Sequence, residues 1–211
     1  MASLTLPVIV QKYINSVVEN RLKNFYTITN QAILMAEEKY GDRKHWFAGV
    51  SDGGLDENGN LTGGADMLDW YKKYFDPYIK SVNIIVNDVG VPTIYLSDGS
   101  AFTAAVRNWI FYTTNPDKCI KRFGNIANAG GKCAFYFNFS PEQTYIGWEY
   151  LRNKGVEPFK FAWHGNEKLL YSGSLYSCKN TGYSKIGTYC TAIIQLNGWK
   201  IPDDYPLKVY Y

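Results

Sequence analysis

The sequence predicts an α+β fold in which a long N-terminal amphipathic helix packs on a C-terminal antiparallel β-sheet. Three observations carry this reading. Residues 8–40 contain neither Gly nor Pro and repeat apolar side chains at helical spacing. Beyond residue 92 the pattern shortens to apolar stretches separated by turn residues, the habit of strands. Helical and strand patterns are segregated along the chain, whereas a parallel sheet needs them to alternate.

The first element follows from its apolar stripe. Ile14, Val18, Leu22, Phe25, Ile28, Ala32 and Ala36 are three or four residues apart, and Lys12, Ser16, Glu19, Lys23, Thr27, Asn30 and Glu37 fill the other side. Gly41 suits the C-cap, and Pro7 is compatible with a helix N-terminus. At 1.5 Å per residue such a helix is about 50 Å long. Residues 41–64 are rich in Gly, Asp and Asn and read as a loop. Asp56-Glu57-Asn58-Gly59-Asn60 has the look of a calcium loop, but the places for the EF-hand Gly and Glu hold Leu61 and Met67. No cofactor is expected; calcium is the one candidate, and no motif supports it.

A second helix is expected over residues 65–80, with Met67, Leu68, Tyr71, Tyr74, Phe75 and Tyr78 on its apolar side and Pro77 ending or bending it. Residues 93–96 and 101–106 then read as a hairpin around Asp98-Gly99. Residues 133–139 read as a strand. So do residues 158–163, with Phe159, Phe161 and Trp163 on one face, turning at Gly165-Asn166 toward 168–171. Residues 190–196 fit either a strand or a helix. The division is thus an N-terminal helix, 1–40, and a globular head, 41–211.

Composition narrows the function. Hydrophobic residues make up 46% and charged residues only 19%, which excludes a disordered chain and implies a packed core. The 18 tyrosines suit interfaces, since the ring is apolar and the hydroxyl polar. A net charge of +3, with Lys118, Lys121 and Arg122 as the densest basic patch, argues against a nucleic-acid partner.

The four cysteines, Cys119, Cys133, Cys178 and Cys190, have no CxxC spacing and no nearby His, which argues against zinc. Two disulfides in an oxidising compartment are one reading, and four reduced, buried thiols the other. Three pairings are possible. The expectation is the neighbouring one, Cys119 with Cys133 and Cys178 with Cys190, each closing a loop of about 13–15 residues worth about 3 kcal/mol. Disulfides imply export, yet the sequence has neither a signal peptide nor an apolar run long enough to span a membrane. It opens directly on Leu4-Thr5-Leu6-Pro7-Val8-Ile9-Val10, which reads as the end of an apolar segment that begins upstream.

Signatures of chemistry are sparse. There is no Walker loop, GxSxG, HExxH or dinucleotide fingerprint. His45 reads as a loop residue and His164 as a surface hydrogen-bonder. Asp203-Asp204, between two prolines, reads as a solvated pair. No catalytic residue is expected, and the protein is read as something other than an enzyme.

Several stretches resemble the type IV pilin and pseudopilin family, in particular a group of type II secretion proteins. Leu22-Lys23-Asn24-Phe25-Tyr26 and Asn30-Gln31-Ala32-Ile33 are similar to that group's first helix. Lys73-Tyr74-Phe75-Asp76-Pro77-Tyr78-Ile79-Lys80 is similar to its second helix, and Leu96-Ser97-Asp98-Gly99-Ser100-Ala101-Phe102 to its hairpin. The most specific stretches are Tyr189-Cys190-Thr191-Ala192-Ile193-Ile194 and Gly198-Trp199-Lys200-Ile201-Pro202-Asp203-Asp204-Tyr205-Pro206. Residues 138–155 match nothing in the group and read as an insertion. The family's peptidase site and membrane-buried acidic residue are absent from the stretch before Pro7.

The resemblance implies a structural subunit, a pseudopilin or minor pilin, whose helix emerges from the membrane near Pro7. Its partners would be other pilin-like subunits, the secretion or pilus assembly machinery, and the membrane through a helix upstream. It would sit in the cell envelope, anchored in the inner membrane with its head outside the cytoplasm, or in an extracellular filament. Leu4, Leu6, Val8, Ile9 and Val10 are then the expected subunit interface. The second reading is an extracellular module that binds glycans through Trp109, Trp148 or Trp163, which requires those rings to be exposed.

Overall fold

The computed structural model describes residues 5–50, 57, 66–179 and 187–211, with side chains from Pro7 onward. Its first element, α1 (Thr5–Tyr40), is one unbroken helix of 36 residues, about 54 Å long. Pro7 lies in the first turn, where its missing N–H breaks no helical hydrogen bond. Gly41, with φ 74°, closes the helix by donating its N–H to the Glu37 carbonyl.

The sheet is a six-stranded antiparallel meander in sequence order: β1 (Asn83–Val86), β2 (Pro92–Tyr95), β3 (Ala101–Ala105), β4 (Asn108–Tyr112), β5 (Ala134–Asn138) and β6 (Glu157–Pro158). The β2–β3 turn forms at Asp98-Gly99, where Gly99 takes φ 81° and Asp98 accepts the Ser100 N–H. Register sets Phe102 opposite Phe111, Phe111 opposite Phe135, and Trp109 opposite Phe137, so one face carries a sheet-wide band of rings. Phe25 of α1 drops into this band. Its ring centroid is 5.1 Å from Phe102, 4.7 Å from Phe111 and 4.9 Å from Phe137. The buried stripe of α1 therefore runs Val18, Leu22, Phe25, Thr29, Ala32, Ile33 and Ala36.

The helix α2 (Met67–Tyr74) adds Tyr71 and Trp70 to the same layer. It is shorter than the sequence suggests. Pro77 has no N–H to return to the Lys73 carbonyl, and the chain turns instead, with Tyr78 donating to Phe75.

Five elements depart from or extend the sequence reading. The strand expected over 158–163 is confined to Glu157–Pro158, after which Trp163 donates to the Lys160 carbonyl in a turn. Residues 168–171 lie in a helix, α5 (Glu167–Tyr171), rather than a strand. Asn166 accepts the Lys168 N–H and so caps a helix where the turn signal suggested a hairpin. Residues 190–196 are helical, α6 (Cys190–Leu196), with Cys190 to Ile194 all buried. Between β4 and β5 lie α3 (Pro116–Phe123), capped by Asn115, and α4 (Ile126–Ala129), capped by Asn125. Neither of these, nor β1 and β4, was evident from periodicity.

Candidate functional site

Two regions combine exposure with distinctive chemistry: the first turns of α1 and the loops that flank β6.

Leu4 lies outside the described residues, and so does the side chain of Leu6. The rest of the expected interface projects from the domain. Val8, Ile9 and Val10 are 55%, 62% and 49% exposed, and Tyr13 is exposed with them. One turn later Ile14 and Val17 are half-buried, and from Val18 the inward face is core. The same helix is thus anchored from Val18 onward, whereas along its first turns Val8, Ile9 and Val10 are exposed and the C-terminal segment is met by Gln11, which donates to the Val209 carbonyl, and by Tyr13, whose ring lies 6.2 Å from that of Tyr211. No helix among the described residues is long and apolar enough to cross a membrane.

Around β6 a half-buried polar network centred on the buried Glu157 ties three elements together. The Tyr26 hydroxyl of α1 donates to Glu157 Oε1 at 3.0 Å, and Gln195 Nε2 of α6 donates to Glu157 Oε2 at 3.1 Å. Lys160 Nζ lies 3.7 Å from Glu157 Oε2 and donates to Gln195 Oε1 at 3.0 Å. Burial, helped by the Glu157 carboxylate, pushes the Tyr26 hydroxyl up to about 12. Burial also lowers the Lys160 ammonium, although Glu157 opposes it. The Tyr150 hydroxyl is turned inward, donating to Asn138 Oδ1 and accepting the Lys160 N–H.

Beside this network the backbone is tightly constrained. Ala162, His164 and Gly165 all adopt positive φ, at 54°, 50° and 82°. Gly147, at φ 90°, packs so closely on Phe161 that a Cβ there would come within 2.8 Å of its ring. Trp148 lies against Phe161 at 4.6 Å, and the Tyr189 hydroxyl donates to the Phe161 carbonyl. A cavity of about 330 Å³ opens here, lined by Glu149, Tyr150, Lys160, Trp163 and His164 among others.

The remaining candidates separate clearly. Trp109 is fully buried in the sheet layer and cannot meet a ligand, whereas Trp148 and Trp163 are half-exposed. His45 is exposed in a short 3₁₀ turn, Arg43–His45, and His164 is exposed at the cavity. Asp203 and Asp204 are exposed; Asp204 accepts from the Tyr171 hydroxyl at 3.3 Å. Lys118, Lys121 and Arg122 share α3, where the Arg122 guanidinium stacks 3.8 Å over the Tyr210 ring. Cys119 pairs with Cys133 and Cys178 with Cys190, and all four are buried. Of the calcium-like stretch only Glu57 is among the described residues, and among those residues no group of three His, Cys, Asp or Glu could hold a metal.

The network residues were not found from sequence. Tyr26, Glu157 and Gln195 are ordinary residues at unremarkable spacings, whereas Trp148, Trp163 and His164 nearby are singled out by the sequence.

Residues 8–209 match a protein family described as a family of unknown function (DUF6613). Among curated proteins and among solved structures, nothing matches the chain.

Proposed function

The chain belongs to that family of unknown function, and we propose that it is a structural subunit, a pseudopilin or minor pilin, of a filament of the type II secretion or type IV pilus kind. The observation that supports this most is the division of α1. A helix whose second half is the centre of the domain presents Val8, Ile9 and Val10 outside it. Apolar side chains of this size are worth about 1.5–3 kcal/mol each when fully buried, so a contiguous group left bare marks an interaction surface. In this reading the occupant is the corresponding helix of neighbouring subunits, and the globular head carries no part of that contact. The two disulfides fit an oxidising compartment outside the cytoplasm, as a cell-envelope subunit requires. The resemblance of the α1, hairpin and C-terminal stretches to the pilin family points the same way.

The test is association. Sedimentation velocity on the chain should reveal weak, concentration-dependent self-association. The double variant Val8→Ser/Ile9→Ser should remain monomeric with an unchanged melting temperature. A wild-type chain that stays monomeric at millimolar concentration, or a variant that associates equally well, refutes the proposal.

A further inference from the structure

The filament reading leaves the cavity beside β6 without a role. Its volume, about 330 Å³, falls at the small end of the range for small-molecule sites. We propose that it is a carbohydrate-binding site, taking one neutral hexose ring of an oligosaccharide against the indole of Trp163. The lining decides the ligand class. Trp163 and Tyr150 supply aromatic surface, and Glu149, Lys160 and His164 supply polar groups of differing character.

An anion is disfavoured. The Lys160 ammonium is already opposed by Glu157 at 3.7 Å and bonded to Gln195 at 3.0 Å, and Glu149 adds a second carboxylate to the region. A cationic amine is disfavoured by the Lys160 ammonium, a like charge in the same lining. A wholly apolar ligand would displace water from the Glu149 carboxylate, the Lys160 ammonium and the His164 imidazole and offer them nothing in return. A hexose suits all of them. Its C–H face is apolar enough to lie on an indole, and its hydroxyls both donate and accept, as a carboxylate, an ammonium and an imidazole require.

The site is also built before any ligand arrives. Ala162 and His164 hold left-handed backbone conformations that non-glycine residues adopt at a cost, and such strain gathers where geometry serves binding. Trp163, between them, is held by donation of its Nε1–H to the Asn166 carbonyl at 2.8 Å. Tyr150 is fixed from behind by Asn138 and the Lys160 N–H. A preformed site loses less freedom on binding. The site is independent of the assembly surface, since about 27 Å of helix separates Val8 from Tyr26, where α1 meets the network.

Isothermal titration and saturation-transfer NMR with chitotriose, maltotriose and cellotriose test the proposal, with inorganic phosphate and tetramethylammonium as competing probes. At least one trisaccharide should bind saturably. Trp163→Ala should weaken it about tenfold. Glu149→Gln keeps an acceptor for the Gly147 N–H, so it should preserve the loop yet also weaken binding. Val8→Ser/Ile9→Ser should leave binding unchanged, whatever it does to association. The proposal is overturned if no trisaccharide saturates by about 10 mM. Binding that both cavity variants leave untouched, or phosphate or tetramethylammonium binding more tightly than every sugar, overturns it equally.

Discussion

Leu22→Ala and Ile9→Ala make the same kind of cut at two depths on one helix. Leu22 is fully buried under the sheet, in the turn before Phe25. Truncation there removes its transfer energy and leaves a cavity walled by a layer that cannot easily collapse, a loss of about 2–5 kcal/mol. In a domain of this length each kcal/mol moves the midpoint by about 2–4 °C, so the melt should fall by roughly 4–20 °C. Ile9 is 62% exposed, so its residual burial is worth at most about 1 kcal/mol. Alanine also returns a few tenths of a kcal/mol through its better helix propensity. The expected shift for Ile9→Ala is therefore within about 2 °C. Thermal melts followed by circular dichroism at low protein concentration, where association is negligible, measure both. If Ile9→Ala falls as far as Leu22→Ala, the first turns belong to the domain's own core, and the division of α1 on which the proposed function rests is lost.

Two further outcomes follow from the same structure. Replacing Cys178 and Cys190 by Ser removes a cross-link between residues 12 apart and should lower stability by about 3 kcal/mol, read as a fall in denaturation midpoint; no change would mean the bridge does not form in solution. The Tyr26 hydroxyl is held up to about 12 in the folded chain, above its ordinary value of 10, so its contribution is complete below pH 10 and is lost as pH rises through 12. Tyr26→Phe should therefore show a shallower alkaline loss of stability than the wild type over that window, and superimposable curves would show that burial and Glu157 do not hold the hydroxyl up in the folded chain.

How much was legible beforehand depended on the range of the interaction. The length of α1, its C-terminal stop at Gly41, the hairpin at Asp98-Gly99 and the strand around Phe135 and Phe137 were all readable. Each follows from side chains within a few residues of one another, where spacing and turn chemistry act directly. Gly165-Asn166 was readable as a turn but not as a helix cap, because the residues after it serve either a strand or a helix in isolation. β4 was missed for a related reason: Trp109-Ile110-Phe111-Tyr112 is buried on both faces, so no alternation marks it.

By itself, then, the sequence determined a long helix followed by an antiparallel sheet, the absence of a strong charge bias and the presence of four cysteines. The tertiary structure decided what each stretch is for. It buried the apolar stripe of α1 from Val18 onward and left the consecutive Val8, Ile9 and Val10 exposed, because the sheet layer packs on the later part of the helix, at Phe25. It brought Tyr26 to Glu157 across 131 residues, and Gln195 to Glu157 across 38. It also bent the aromatic run after Pro158 into a loop beside a cavity. Local patterns record only neighbours, whereas a buried carboxylate needs partners that the chain supplies from wherever its closure places them.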